Sequence, residues 1–153
     1  MNWHSRYLQQ AEWTRDLRAY LFEQAGLANA RRVLEVGCGT GAILCEINAH
    51  SLHGLDLEPA SLAECRIHAP AVSLTRGDGF SLPYADKSFD IAYCHFLLLW
   101  VNNPLQVVRE MARVSRAVLA LAEPDYSQRV DEPAALKPLG AWQTESLRRQ
   151  GAD

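Results

Sequence analysis

The segment Glu35-Val36-Gly37-Cys38-Gly39-Thr40-Gly41 has the composition of a turn that grips a ligand through its backbone. Glycine lets the main chain approach a bound molecule closely, and free N–H groups at a helix start present a positive end to it. Gly37, Gly39 and Ala42 also satisfy the looser pattern Gly-x-Gly-x-x-Gly/Ala, so the turn alone suits a nicotinamide dinucleotide as well as another adenosyl ligand. Asp56 stands at the end of the next apolar run, where a carboxylate can accept from both hydroxyls of a ribose. That too fits either ligand. Three further features narrow the choice: Glu35 two residues before the turn, Gly77-Asp78-Gly79, and the block Leu82-Pro83-Tyr84-Ala85-Asp86-Lys87-Ser88-Phe89-Asp90.

Positioning these residues requires strands that end where they lie. Short apolar runs at 32–36, 52–57, 71–75, 89–94 and 117–122 alternate with segments of helical period, the pattern of a parallel sheet flanked by helices. Ile43, Leu44 and Ile47 predict a helix after the glycine turn, reaching about His50. Pro59 fits the first position of a second helix, with Leu62 and either Cys65 or Arg66 facing inward. Asn103 reads as an N-cap and Pro104 as the first residue of a third, burying either Leu105, Val108 and Ala112 or Val107, Met111 and Val114. The expected fold is α/β and Rossmann-like: a doubly wound, mainly parallel sheet of about five strands in the order 3-2-1-4-5. Its ligand crevice lies at the carboxyl ends of the strands.

One domain spans 1–153, with an N-terminal helical segment (1–28), a cofactor-binding core (30–123) and a loop and helix (124–153). In the first segment Tyr7, Leu8, Ala11, Trp13, Leu17, Tyr20 and Leu21 predict an amphipathic helix with an aromatic face, packed on the core or closing the site as a lid.

With these motifs in this order, residues 30–123 resemble the class I S-adenosylmethionine-dependent methyltransferases, particularly the branch of ubiquinone, menaquinone and sterol methyltransferases. Val33 to Gly41 is similar to that family's first motif and His53-Gly54-Leu55-Asp56 to its second. The resemblance implies S-adenosylmethionine as cofactor. It places Gly37, Cys38 and Gly39 beside the methionine moiety, with Glu35 organising that loop and the amino group of the ligand. It gives Asp56 the ribose hydroxyls, Leu57 one adenine face, Asp78 the N6 amino group and Gly79 the N1 position. Cys94 and His95 fall near the sulfonium. Methyl transfer from sulfur needs alignment and exclusion of water more than a base. Where a proton must leave the acceptor, His95 is the best-placed catalytic residue, its other reading being a hydrogen bond to backbone or cofactor. Tyr7, Trp13, Trp100 and Tyr126 are the aromatic candidates for an acceptor pocket, and Glu123 to Tyr126 lies on the crevice side.

Two departures from the family stand out. Val114-Ser115-Arg116-Ala117-Val118 replaces the usual Pro-Gly-Gly connection, and nothing from Pro124 to Asp153 reads as the C-terminal antiparallel hairpin. A sheet without that hairpin leaves the edge of the fifth strand bare, which predicts a homodimer or a shortened form of a longer enzyme. The expected function is methyl transfer to a small organic acceptor, the alternative a non-catalytic adenosyl-binding or interaction module. Net charge is −3, which provides no field for nucleic acid. No run suits a signal peptide or a membrane span, so a cytoplasmic protein without a membrane partner is expected. Cys38, Cys45, Cys65 and Cys94 and the five histidines lack ligand spacing, and no metal is expected.

Overall fold

In the computed structural model, which describes residues 3–125 and 130–152, five parallel strands form one sheet in the order β3-β2-β1-β4-β5. They are β1 (Arg32–Val36), β2 (Ser51–Asp56), β3 (Ser73–Arg76), β4 (Phe89–His95) and β5 (Ser115–Leu121). The helices are α1 (Trp3–Glu12), α2 (Arg15–Gln24), α3 (Pro59–His68), α4 (Pro104–Val114) and α5 (Lys137–Arg149). The expected strand order is the observed one. The central strands β1 and β4 are covered on both faces, so Val33, Leu34 and Val36 and then Ile91 to Cys94 form apolar runs at most 2% exposed.

Helix α4 opens as its sequence dictates. The Asn103 side chain accepts from the Gln106 N–H at 3.2 Å, and Pro104 takes a position whose N–H has no helical partner. Of the two apolar faces the sequence allows, the sheet takes Val107, Met111 and Val114, all fully buried, and leaves Leu105 56% exposed. Burial of such a side chain is worth about 1.5–3 kcal/mol, which is what seats α4 beside the crevice. Asn103→Ala should cost about 1 kcal/mol, read as a shift of the urea midpoint at unchanged m-value.

The helix expected after the glycine turn does not form. Residues 42–50 give only a short 3₁₀ turn, Leu44–Glu46, followed by extended chain from Ile47. Returning along a five-residue strand means covering about 17 Å. Nine helical residues would rise only about 14 Å, so the chain must stretch.

The N-terminal segment also departs from expectation, folding as two helices broken at Trp13-Thr14 with the aromatic face outward. Trp3, Tyr7, Trp13, Leu17 and Tyr20 are exposed, whereas His4, Ala11, Arg18 and Phe22 are buried. The break explains the inversion. At the break the Ala11 carbonyl accepts from the Thr14 N–H and from the Arg18 guanidinium, which also donates to Thr14 Oγ1 at 2.8 Å and to Glu46 Oε2 at 2.5 Å. A buried cation with this many acceptors holds the polar face inward.

After β5 the described residues contain a 3₁₀ turn (Ala134–Leu136) and α5 but no strand, so the sheet ends at β5.

Candidate functional site

The crevice is assembled at the carboxyl ends of β1, β2 and β4. Gly37, Gly39 and Gly41 all have left-handed backbones, with φ of +73°, +51° and +82°. At Gly37 the left-handed backbone strains any side chain, and an added Cβ would lie 2.7 Å from Leu97 Cδ1, which would have to shift. The turn is anchored at its start by the Gly37 and Cys38 N–H groups, both donating to the Leu55 carbonyl at 2.8 and 3.0 Å. It is anchored at its middle by Asp56, whose Oδ2 accepts from the Gly39 N–H at 2.7 Å while Oδ1 accepts from the Glu58 N–H at 2.9 Å. Asp56 thus fixes the loop and the start of α3 together. A carboxylate has about four acceptor positions, so two are left for a ligand.

Opposite lies the turn after β3. Asp78 Oδ1 accepts from the Phe80 N–H at 2.9 Å, closing an Asx turn that presents Gly79 to the crevice. Gly37, Asp56, Leu57, Asp78 and Gly79 line a cavity of about 420 Å³ together with Leu97, Trp100, Val101 and Val107. The turn following α5 brings Gly151 to the same cavity. Acceptor carboxylates at two points of a mostly apolar cleft suit a ligand with vicinal hydroxyls at one end and an amine at the other.

The wall carrying Leu97 is held by a group that sequence reasoning placed on the crevice side without a defined role. Glu123, just after β5, accepts from the Leu97 N–H at 3.0 Å and the Leu98 N–H at 2.7 Å. Phe96 and Ala122 bracket this clamp with left-handed φ of +53° and +51°, a strain of about 1–3 kcal/mol each that non-glycine residues accept only where their surroundings impose it.

Five of the expected site residues do not line the cavity: Gly39, whose N–H is taken by Asp56, and four more. The pleat turns Glu35 to the opposite face, where it is 3% exposed and accepts from the Tyr93 hydroxyl at 3.0 Å. Cys38 points beneath the loop into a cluster with Leu44, Cys65, Ala69 and Val72. Cys94 is wholly buried under α4, and burial pushes its thiol up. His95 turns toward α1 and α2, its Nε2 hydrogen-bonded to Thr14 Oγ1 at 2.9 Å. Burial, with the Arg18 charge adding, lowers the His95 imidazole to about 4, so it is neutral at pH 7. Of the aromatic candidates, Trp100 lines the crevice, Tyr7 and Trp13 lie on the outer surface, and Tyr126 lies outside the described residues.

Glu35 carries a testable consequence. Burial raises its carboxyl well above the usual range, despite the Tyr93 hydroxyl donating to it. The folded protein therefore keeps a proton that the unfolded chain has lost. This contribution is fully present below the unfolded carboxylate value and declines as pH rises toward the folded one. Glu35→Gln should remove the decline. Urea midpoints of the variant and parent should agree near pH 4 and diverge in favour of the variant toward pH 8; parallel pH profiles would contradict a protonated Glu35.

The α1 helix closes over the glycine loop from the other side. His4 Nδ1 is hydrogen-bonded to Thr40 Oγ1 at 2.9 Å, and its ring stacks on His68 with centroids 3.4 Å apart. Burial and the His68 charge both lower the His4 imidazole.

Residues 34–118 match the family model described as a methyltransferase domain, more than half of the chain, and the protein belongs to that family. It is 36% identical over 112 residues to a malonyl-[acyl-carrier protein] O-methyltransferase of Erwinia pyrifoliae, a match covering 72% of this chain and 43% of the relative. It is 31% identical over 116 residues to a demethylmenaquinone methyltransferase of Renibacterium salmoninarum, covering 74% and 49% respectively. The chain thus spans less than half the length of these relatives. Among solved structures, the N-terminal domain of EvdMO1 with SAH bound superposes with a TM-score of 0.55 at 30% identity, covering 67% of this chain and 48% of that one. A methyltransferase-like structure from Bacillus halodurans, at 21% identity and a TM-score of 0.68 over 88% of this chain and 60% of its own, shares the fold.

Proposed function

We propose that the crevice binds S-adenosylmethionine and that the protein transfers its methyl group to a small organic acceptor. The observation that carries this reading is Asp56, a carboxylate held by the Gly39 and Glu58 N–H groups at the crevice edge with acceptor positions to spare. The cavity volume lies within the usual span of about 300–1,000 Å³ for small-molecule sites. Asp56 accepts from the ribose hydroxyls, Leu57 covers the adenine, and Asp78 and Gly79 meet its amino edge. Gly37 and Gly39 border the methionine moiety. Glu35 braces β1 against β4 beneath the loop through Tyr93, and Cys38 and Cys94 support the site from below.

When bound, S-adenosylmethionine supplies a methyl group on a positively charged sulfur, which leaves by in-line displacement. Leu97, Trp100 and Val107 exclude water from that point, and alignment supplies most of the rate. His95 is neutral at pH 7 and would take part in proton transfer only if α1 and α2 moved aside. The apolar wall suits an acceptor with a flat or aliphatic body, in keeping with relatives named for malonyl-carrier and quinone acceptors. A homodimer through the bare edge of β5 and a cytoplasmic location complete the proposal. No described helix is long and apolar enough to cross a membrane, and four unbridged cysteines suit a reducing compartment.

Titration calorimetry with S-adenosylhomocysteine tests the donor site: saturable one-to-one heat is expected, and none from a protein of native circular dichroism would refute it. Sedimentation velocity over a range of concentrations tests the dimer, which a constant monomer mass would exclude.

A further inference from the structure

Strands β4 and β5 leave the sheet side by side. Their register ends with His95 opposite Leu121, and the next residues, Phe96 and Ala122, both turn through left-handed φ. Beyond that point the half-buried Glu123 side chain ties the two chains, one carboxylate oxygen accepting from the Leu97 N–H and the other from the Leu98 N–H. Burial pushes the Glu123 carboxyl up, and these two bonds pull it back. Leu97 lies directly against the glycine turn: a Cβ built on Gly37 would meet its Cδ1, Cδ2 and Cγ at 2.7, 3.1 and 3.2 Å. From Leu97 the chain enters a 3₁₀ turn, Leu98–Trp100, closed by the Trp100 N–H donating to the Leu97 carbonyl at 2.9 Å. That turn brings Trp100, Val101 and Asn102 to the cavity.

We propose that Glu123 is a positioning residue of the crevice, holding the 97–98 backbone so that Leu97 packs on Gly37 and Trp100 lines the cavity, and that affinity for the adenosyl ligand depends on this tie. The geometry calls for a carboxylate. Each oxygen serves its own N–H, so one side chain satisfies both donors. A glutamine in the same place offers one acceptor oxygen and turns its own NH2 toward the second N–H, leaving donor against donor. Left-handed φ at Phe96 and Ala122 stores strain that both chains release once the tie is cut. That relaxation carries Leu97 away from Gly37, and Trp100 with it. Glu123 therefore acts on the ligand through the wall and touches no reacting atom.

The effect on affinity rests on the proposed donor site, whereas the tie does not. The test uses the full chain with the exposed Trp3, Trp13 and Trp142 replaced by phenylalanine, so that Trp100 is the single indole. Glu123→Gln should weaken binding of S-adenosylhomocysteine about three- to tenfold and Glu123→Ala about ten- to thirtyfold, with Trp100 emission shifted in both below the urea transition. Leu97→Ala should weaken binding to a similar degree. Adding Glu123→Gln to it should cost little more, because both act through one contact. A role in stability alone would lower the urea midpoint and leave affinity and Trp100 emission as in the parent, which overturns the proposal, as do additive losses in the double variant. Should the ligand fail to bind the parent, the donor site falls and amide exchange reads the tie instead. Faster exchange at Leu97 and Leu98 in Glu123→Gln, with β4 and β5 unaltered, supports the positioning role, and unchanged protection there overturns it.

Discussion

Replacing Asp56 with alanine is expected to weaken S-adenosylhomocysteine binding about 100-fold or more. Hydrogen bonds to a charged acceptor are worth about 1.5–3 kcal/mol each, and the variant loses those to the ligand hydroxyls. It also releases the Gly39 and Glu58 N–H groups, so the loop forfeits its anchor at the same stroke. Asp56→Asn separates the two effects. An amide oxygen still accepts from one N–H but carries no charge, and affinity should fall between those of parent and alanine variant. Calorimetry measures both, with circular dichroism confirming that each variant is folded. Equal affinity of parent and Asp56→Ala would mean that the ligand does not sit at the end of β2.

Arg18→Met should lower global stability by about 2–4 kcal/mol. Breaking a buried ion pair commonly costs about 3–5 kcal/mol, discounted here because the Glu46 partner is 34% exposed. Methionine keeps the stem volume, so the loss reports the guanidinium and its bonds to Ala11, Thr14 and Glu46. Freed of that strap, α1 and α2 should become sensitive to protease in the variant while remaining resistant in the parent. Urea unfolding and limited proteolysis together check this. A change below about 0.5 kcal/mol, the range of ordinary surface substitutions, would show that the strap is ornamental.

The sheet could be read from sequence because β1, β4 and β5 carry apolar runs, and because parallel crossovers admit few orders. Asn103-Pro104 announced α4 for the same reason: local capping chemistry and tertiary burial agree there. Asp56, Asp78 and the glycines were legible because the turns that hold them are made by their own side chains or backbones. Arg18 was not. Its burial depends on a carbonyl at a helix break and on Glu46 in a distant turn, and periodicity alone points the aromatic residues inward. Glu35 and His95 were misplaced relative to the crevice by one feature of the pleat, since adjacent strand residues face opposite sides. The Leu97 wall was missed because it depends on Glu123 reaching across from β5. Its sole local trace was the apolar run Phe96 to Trp100, which reads equally well as core.

The stretched connection between β1 and β2 has a dynamic counterpart. Its amides make few hydrogen bonds, those of Cys45, Glu46 and Ile47 reaching back to Gly41, Ile43 and Leu44 at 3.1, 2.9 and 3.3 Å. A segment so thinly bonded opens at low free energy while the sheet beside it stays closed. The loop proposed to hold the ligand therefore continues into a segment held by few main-chain hydrogen bonds. Occupancy of the crevice is expected to propagate as ordering of this segment, so that binding is partly opposed by the entropy of stilling it.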